Sequence, residues 1–185
     1  MTPLVQRALA DEGLLEVLEA RRRGEDLGDL APKLETADLL ALGALADLVR
    51  AEEVGPEVAL HVEQEPPEGV VVVRERGQAL LRAVAIARVT GRRGARVCVD
   101  FGVTGLEIGQ VALGFGASEL AGPIANRRGL PIAEDAQKKV KGQGMVSIRA
   151  LKREELATLV RRAGREPVFA DPRGAQRREP TEASP

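Results

Sequence analysis

Aromatic side chains are nearly absent from this sequence, which has no Trp, no Tyr and three Phe among 185 residues. Proteins that bind single-stranded nucleic acid stack bases on such side chains, so their scarcity argues against that function. The formal net charge is −1, from 27 basic and 28 acidic residues, and it provides no overall attraction for nucleic acid or an anionic membrane. We therefore expect neither of these among the partners, and we expect an aliphatic core.

Cysteine and histidine each occur once, which excludes an internal disulfide framework. Cys98 lies between two valines in a strand pattern, where a free cysteine usually packs as a small apolar side chain. His61 has no companion His or Cys, so we expect a strand histidine, either satisfied in the core or half-exposed. The residues predict no metal site, no cofactor and no catalytic group. The sequence has no charged start followed by an apolar run, the pattern that would indicate a signal peptide or a membrane span. We therefore expect a cytoplasmic protein.

The first third of the sequence has the apolar spacing of helices. Residues 4–22 predict two short helices, or one helix kinked at Gly13. A longer stripe predicts a helix that starts from Thr36 as its N-cap, continues to about Glu52 and ends at Gly55-Pro56.

Strands and helices then alternate. Four segments predict strands: "EVALHV", "VVVVR", "ARVCVDF" and "EPVFAD". A fifth, "ASELAGPI", predicts a weak short strand or a turn. The β-branched run in "VVVVR" suits a strand buried on both faces of a parallel sheet. Helices are predicted between the second and third strands and over 151–163, whereas 126–147 are glycine-rich, polar and basic.

This pattern predicts a single α/β domain over 1–171, with N-terminal helices in 1–56 and alternating strands and helices in 57–171. Residues 172–185 carry too little apolar surface to order themselves, and we expect a disordered tail.

Three stretches together resemble a known family. They are "ETADLLALGALADLVRAEEVGPEVALHV", then "ALLRAVAIARV" with the following strand and "GASELAGPI", and finally "LKREELATLVRRAGREPVFAD". In this order they resemble the radical S-adenosylmethionine enzymes of the futalosine route to menaquinone, aminofutalosine synthase and dehypoxanthine futalosine cyclase, with their deazaflavin-synthase relatives. The resemblance implies that 57–171 form a partial barrel, half of a TIM-type barrel, with parallel strands covered by the N-terminal helices.

The resemblance also shows what this chain lacks. The family's CxxxCxxC motif, which holds an iron-sulfur cluster, should follow the first strand, where this chain reads "VEQEPPEG". Where the family reads G-A-N-D-x-x-G-T and an acidic pair, this chain reads "GASELAGP" and then "IANR". Without cluster thiolates the family's radical chemistry has no source. The resemblance therefore implies a truncated, non-catalytic homologue that acts as an accessory or scaffold protein, with a link to menaquinone synthesis through its ancestry.

Two further functions stay open. One is a small-molecule binding protein, or a repurposed enzyme, that takes an anionic ligand at the carboxyl ends of the strands near Asp100. The other is a subunit that exchanges barrel strands with another polypeptide. Because half a barrel leaves open sheet edges, we expect a homodimer or a complex with a full-length family member.

Six residues are candidates for ligand binding at the carboxyl ends of the strands. Asp100, Gly102 and Thr104 lie at or after the end of one predicted strand, and a retained barrel-end geometry would bring Glu119, Asn126 and Arg127 to the same mouth. Each has a structural alternative. Asp100 suits a turn or an N-cap, Thr104 and Glu107 form a capping-box pattern, and the residues from 119 to 128 suit a solvated loop. The basic run from Lys138 to Arg153 lacks aromatic residues and indicates exposed surface or a partner site more than nucleic-acid binding.

Overall fold

The computed structural model describes residues 1–170 and the backbone of 176–178. Four helices come first: α1 (Pro3–Asp11), α2 (Leu14–Arg23), α3 (Ala31–Thr36) and α4 (Leu39–Glu53). Gly13 takes a left-handed conformation between α1 and α2 (φ 66°), which resolves the first pattern as two helices. The N-cap of α4 is Asp38, whose carboxylate accepts from the amides of Leu40 and Ala41. The prediction of Thr36 as that cap is wrong, because its hydroxyl donates to the carbonyls of α3 instead.

Beyond α4 the chain alternates between strands and helices. The elements are β1 (Glu57–Val62), β2 (Val71–Val73), α5 (Gly77–Thr90), β3 (Val97–Asp100), α6 (Phe101–Thr104), α7 (Leu106–Ala112), β4 (Glu119–Gly122), β5 (Gln137–Val140), β6 (Gly144–Ser147), α8 (Ile148–Arg162), β7 (Glu166–Ala170) and β8 (Gln176–Arg178). "ASELAGPI" thus contains a strand, and the basic segment contains an antiparallel hairpin, β5–β6.

Five strands form a parallel sheet in the order β2-β3-β4-β1-β7, flanked by helices. The α/β fold and the parallel sheet are confirmed. The backbone of β8 pairs antiparallel with β7. The rest of the predicted tail, 172–185, lies outside the described residues.

β2 lies at the edge of the sheet and, within the described residues, pairs with β3 alone. Val71 is 41% exposed and only Val73 of this strand is buried. The prediction of a strand buried on both faces is therefore wrong. An uninterrupted run of valines looks the same at an edge as in the centre of a sheet.

The two faces of the sheet have different side chains. Val58, Leu60, Val99 and Leu120 join the helices in one aliphatic core. The alternate positions, which point the other way, place Ala59, His61, Cys98, Asp100 and Glu119 on the opposite face, here called the polar face. None of the helices in the described residues is long and apolar enough to cross a membrane.

Candidate functional site

A cleft of about 1100 Å³ opens beyond the carboxyl ends of β3 and β4. Its walls are α6 and α7 on one side, α8 on another and the β5–β6 hairpin above, so we call it the hairpin cleft. Gln110 on α7 donates from its Nε2 to the carbonyl of Leu159 on α8, 3.2 Å away. This hydrogen bond joins α7 and α8, which form two of the walls.

Cations without an acidic partner line the hairpin cleft. Lys138, Lys139 and Lys141 come from the hairpin and Arg162 comes from the last turn of α8. Among the described residues, none of these four forms an ion pair with a carboxylate. The residues that line the cleft therefore include four cations that no carboxylate of the described residues neutralises.

The acidic groups of the cleft are already engaged. Glu155 accepts from Nζ of Lys152 at 2.6 Å, and Glu154 accepts from Nη1 of Arg161 at 2.7 Å. Both pairs lie within α8. They leave the local field positive, which favours an anion in the cleft.

A smaller cleft of about 470 Å³ lies next to the first, and Pro123 lines both. Its carboxylates are Glu63, Glu65 and Asp100. Nε of Arg74 lies 3.2 Å from Oδ2 of Asp100, and its Nη2 lies 3.7 Å from Oε2 of Glu65. Glu63 forms an ion pair with Arg149. These carboxylates are matched by cations, and nothing in this cleft favours an anion.

Asp100 occupies the position predicted for it, at the carboxyl end of β3. Its Oδ1 accepts from the amide of Gly102 at 3.0 Å, so the alternative interpretation as an N-cap is confirmed. Gly102 lines the hairpin cleft. A Cβ on Gly102 would lie 2.9 Å from Cδ of Pro123, which explains why a residue without a side chain stands there.

Thr104 is not the cap of a helix. It ends α6, and its hydroxyl donates to the carbonyl of Asp100 at 3.1 Å. The N-cap of α7 is Gly105, with φ 93° and no side-chain cap. The capping-box prediction for Thr104 and Glu107 is wrong, because the backbone turns at Gly105 rather than one residue earlier.

Asn126 and Arg127 lie in an exposed turn. The side-chain oxygen of Asn126 accepts from the amides of Arg128 (2.8 Å) and Leu130 (3.3 Å), so this side chain stabilises its own loop. Arg127 is exposed, and within the described residues no carboxylate pairs with it. Their role in ligand binding stays a prediction.

Glu119 is a buried strand residue rather than part of a solvated loop. It is 2% exposed, its Oε2 lies 2.7 Å from Nε2 of His61, and its Oε1 accepts from Arg96. His61 is likewise 2% exposed, which confirms the interpretation of a satisfied core histidine. The polar face thus contains a buried pair, His61 and Glu119, because β1 and β4 are neighbours in the sheet, and the partly exposed Arg96 binds this pair from the segment before β3. Sequence reasoning missed this pair, since 58 positions separate its members.

Cys98 is completely buried on the polar face. Burial, together with the nearby negative charges of Glu119 and Asp100, raises the pKa of its thiol far above the usual value. The described residues contain no group of three His, Cys, Asp or Glu side chains arranged to hold a metal ion. The single cysteine of this chain, which is buried, does not fit the three protein thiolates that the cluster of the resembled family requires.

Comparison with known proteins adds no relative. No protein-family model, no curated protein and no solved structure matches this chain.

Proposed function

We propose that this chain is a non-catalytic binding protein that takes a small anionic ligand in the hairpin cleft, on a half-barrel scaffold inherited from the radical S-adenosylmethionine family. The observation that carries the proposal is the set of four unneutralised cations around one cleft. The resemblance of three sequence stretches supports the ancestry. The single buried cysteine supports the loss of cluster chemistry.

The location of the cleft also supports a binding function. In parallel α/β proteins, ligands collect beyond the carboxyl ends of the strands, where loops and helix ends converge. The hairpin cleft lies at this end of β3 and β4 and is as large as typical small-molecule sites. The sequence predicted an anion site beside Asp100, which lines the smaller cleft. We propose this site instead for the hairpin cleft, because the unpaired cations line that cleft.

A thermal-shift experiment tests the proposal. Melting is followed by circular dichroism at 222 nm in low salt, with inorganic phosphate, citrate, glucose 6-phosphate and octanoate added separately. We expect at least one of these anions to raise the melting temperature, because a ligand that binds only the folded state stabilises it. The triple variant Lys138→Glu, Lys139→Glu, Lys141→Glu should lose the effect, since each charge-assisted hydrogen bond contributes roughly 1.5–3 kcal/mol.

A matched triple variant controls for the change of net charge. Arg7, Arg76 and Arg92 are exposed and lie outside the hairpin cleft, so their replacement by glutamate should leave the shift in place. Loss of the shift in both triple variants would indicate nonspecific attraction of anions. No shift with any of the four anions would remove the proposed function.

A second candidate function has its own observation. On the edge strand β2 the amide of Val71 donates to the carbonyl of Arg96, so the alternation of a parallel ladder directs the backbone N–H and C=O of Val72 away from β3. An open parallel edge can pair with another chain. We propose that this edge joins two copies of the chain, or one copy and a full-length family member, in an accessory or scaffold role. The resemblance alone supports a connection with menaquinone synthesis.

A further inference from the structure

We infer that the ligand of the hairpin cleft is an amphipathic anion, with one carboxylate, phosphate or sulfonate group on an apolar body. This inference rests on the proposed function and names its ligand class. It follows from how the polar and apolar groups are distributed around the cleft.

The cations are concentrated on one wall. Three of the four unneutralised cations come from the hairpin, whose strand β5 reads Gln-Lys-Lys-Val. The helices α6, α7 and α8 and the segment after β4 provide apolar side chains: Phe101, Leu106, Ile124, Leu151, Leu156 and Leu159. On α8 the lining also includes Arg162 and the Lys152–Glu155 pair, so a ligand meets a net positive charge next to hydrocarbon.

The apolar wall offers surface that a ligand can cover. Leu106 is 37% exposed at the first turn of α7, whereas Leu156 and Ile124 are 5% and 4% exposed deeper in the fold. Covering apolar surface adds binding free energy in proportion to the area removed from water. An inorganic anion would leave this wall in water, so an apolar body adds affinity that a bare anion lacks.

The cleft has few neutral polar side chains, and each already donates one hydrogen bond. They are Gln110, whose amide donates to the carbonyl of Leu159, and Thr158, whose hydroxyl donates to Glu154. Recognition of sugar hydroxyls or base edges requires free donors and acceptors of this kind. Sugar phosphates and nucleotides are therefore disfavoured, although their charge suits the lysines.

Isothermal titration calorimetry with four probes tests the inference. Octanoate combines a carboxylate with an apolar chain, 1-octanol keeps the chain without the charge, and inorganic phosphate and glucose 6-phosphate keep a charge without the chain. We expect octanoate to bind about tenfold or more tightly than each of the other three, a ratio that corresponds to about 1.4 kcal/mol.

Leucine variants locate the apolar contact. Leu106→Asn should weaken octanoate binding severalfold and leave phosphate unaffected, while the conservative Leu106→Met should keep octanoate binding. Leu40 is 74% exposed at the start of α4, away from the cleft, so Leu40→Asn is the matched control and should change nothing. Circular dichroism of each variant checks that the fold is retained.

The outcomes separate this inference from the proposed function. If phosphate or glucose 6-phosphate binds as tightly as octanoate and the lysine triple variant abolishes it, the cleft binds anions but the ligand class is wrong. If octanol binds as well as octanoate, the lysines play no part and the inference is overturned. If none of the probes binds, both proposals fail.

Discussion

Arg88 is the largest completely buried side chain in the described part of the molecule. Its guanidinium donates to the carbonyls of Gly116 (2.8 Å) and Ala95 and to the hydroxyl of Ser118 (3.0 Å). Burial lowers its pKa to about 10, so the group stays charged at neutral pH. These hydrogen bonds connect α5 to the segments that precede β3 and β4. They therefore help to position the N-terminal ends of both strands, whose carboxyl ends lie at the hairpin cleft.

Replacing Arg88 with methionine should therefore be costly. The methionine fills most of the volume, but the buried carbonyls lose their donor, and we expect the free energy of unfolding to fall by about 3 kcal/mol. Urea denaturation followed by circular dichroism measures this loss. The exposed Arg92 is the control, and Arg92→Met should change stability by less than about 0.5 kcal/mol. Equal effects at both positions would contradict a structural role for the Arg88 bonds.

Cys98 gives a second test at the scale of single residues. Because burial raises the pKa of its thiol, little thiolate forms at pH 8, and the surrounding strands exclude reagents. We expect no reaction with 5,5′-dithiobis(2-nitrobenzoate) in the native protein and one thiol per chain in 6 M guanidinium. Rapid reaction in the native state would contradict this and would make Cys98 a candidate nucleophile.

At the scale of elements, α4 packs closely against the segment after α7. A Cβ on Gly43 would lie 2.6 Å from Cε1 of Phe115, whose ring is 7% exposed. The glycine therefore lets α4 approach this ring, although glycine weakens a helix interior by about 1 kcal/mol relative to alanine.

Gly43→Ala should consequently destabilise the protein by about 1 kcal/mol or more, despite the gain in helix propensity. Adding Phe115→Leu removes the clash, so the two changes should be non-additive by about 1 kcal/mol in a double-mutant cycle. Gly114 has open space where its Cβ would stand, and Gly114→Ala provides the control. Additive effects at Gly43 and Phe115 would show that the ring moves aside without cost.

Much of the element order could be predicted from the sequence. Helical spacing and alternating strands mark α4, β1, α5, β3, α8 and β7, since each has one clearly apolar side. The hairpin was missed because β5 is exposed and basic, and therefore shows no apolar alternation. The caps at Asp38 and Gly105 were each misplaced by one or two residues, because a nearby Thr hydroxyl can also cap a helix and the sequence does not show where the backbone turns.

The candidate site was less predictable than the fold. Asp100 and Gly102 could be identified because they directly follow a buried strand. The burial of Glu119 depends on His61 and Arg96, which only the order of the strands brings beside it. Likewise, the sequence does not show that the lysines of the hairpin line a cleft with residues of α7 and α8, because only the fold brings these elements together.

At the scale of the whole molecule, the open edge at β2 predicts assembly. We expect light scattering at micromolar concentration to give twice the mass of one chain. Val72→Pro removes an outward-facing N–H without breaking a bond to β3, and it should convert the dimer into a monomer. Val72→Thr keeps that N–H and should stay dimeric. A monomeric wild type would exclude the homodimer, and a dimer that survives Val72→Pro would place the interface elsewhere.

The two proposed sites are separate parts of one molecule. The edge strand β2 lies at one end of the sheet, and the hairpin cleft is bounded by elements that follow β3 and β4. Ligand binding and assembly can therefore be tested independently, and the monomeric Val72→Pro variant should bind octanoate as the wild type does.

The most direct test of the central claim is a ¹H–¹⁵N correlation spectrum of the labelled protein, titrated with octanoate. Binding in the hairpin cleft predicts amide shifts at Lys138–Lys141, at Gly102 and Leu106, and along one side of α8, with the N-terminal helices unchanged. Shifts confined to α1–α4, or no shifts at millimolar octanoate, would contradict the account.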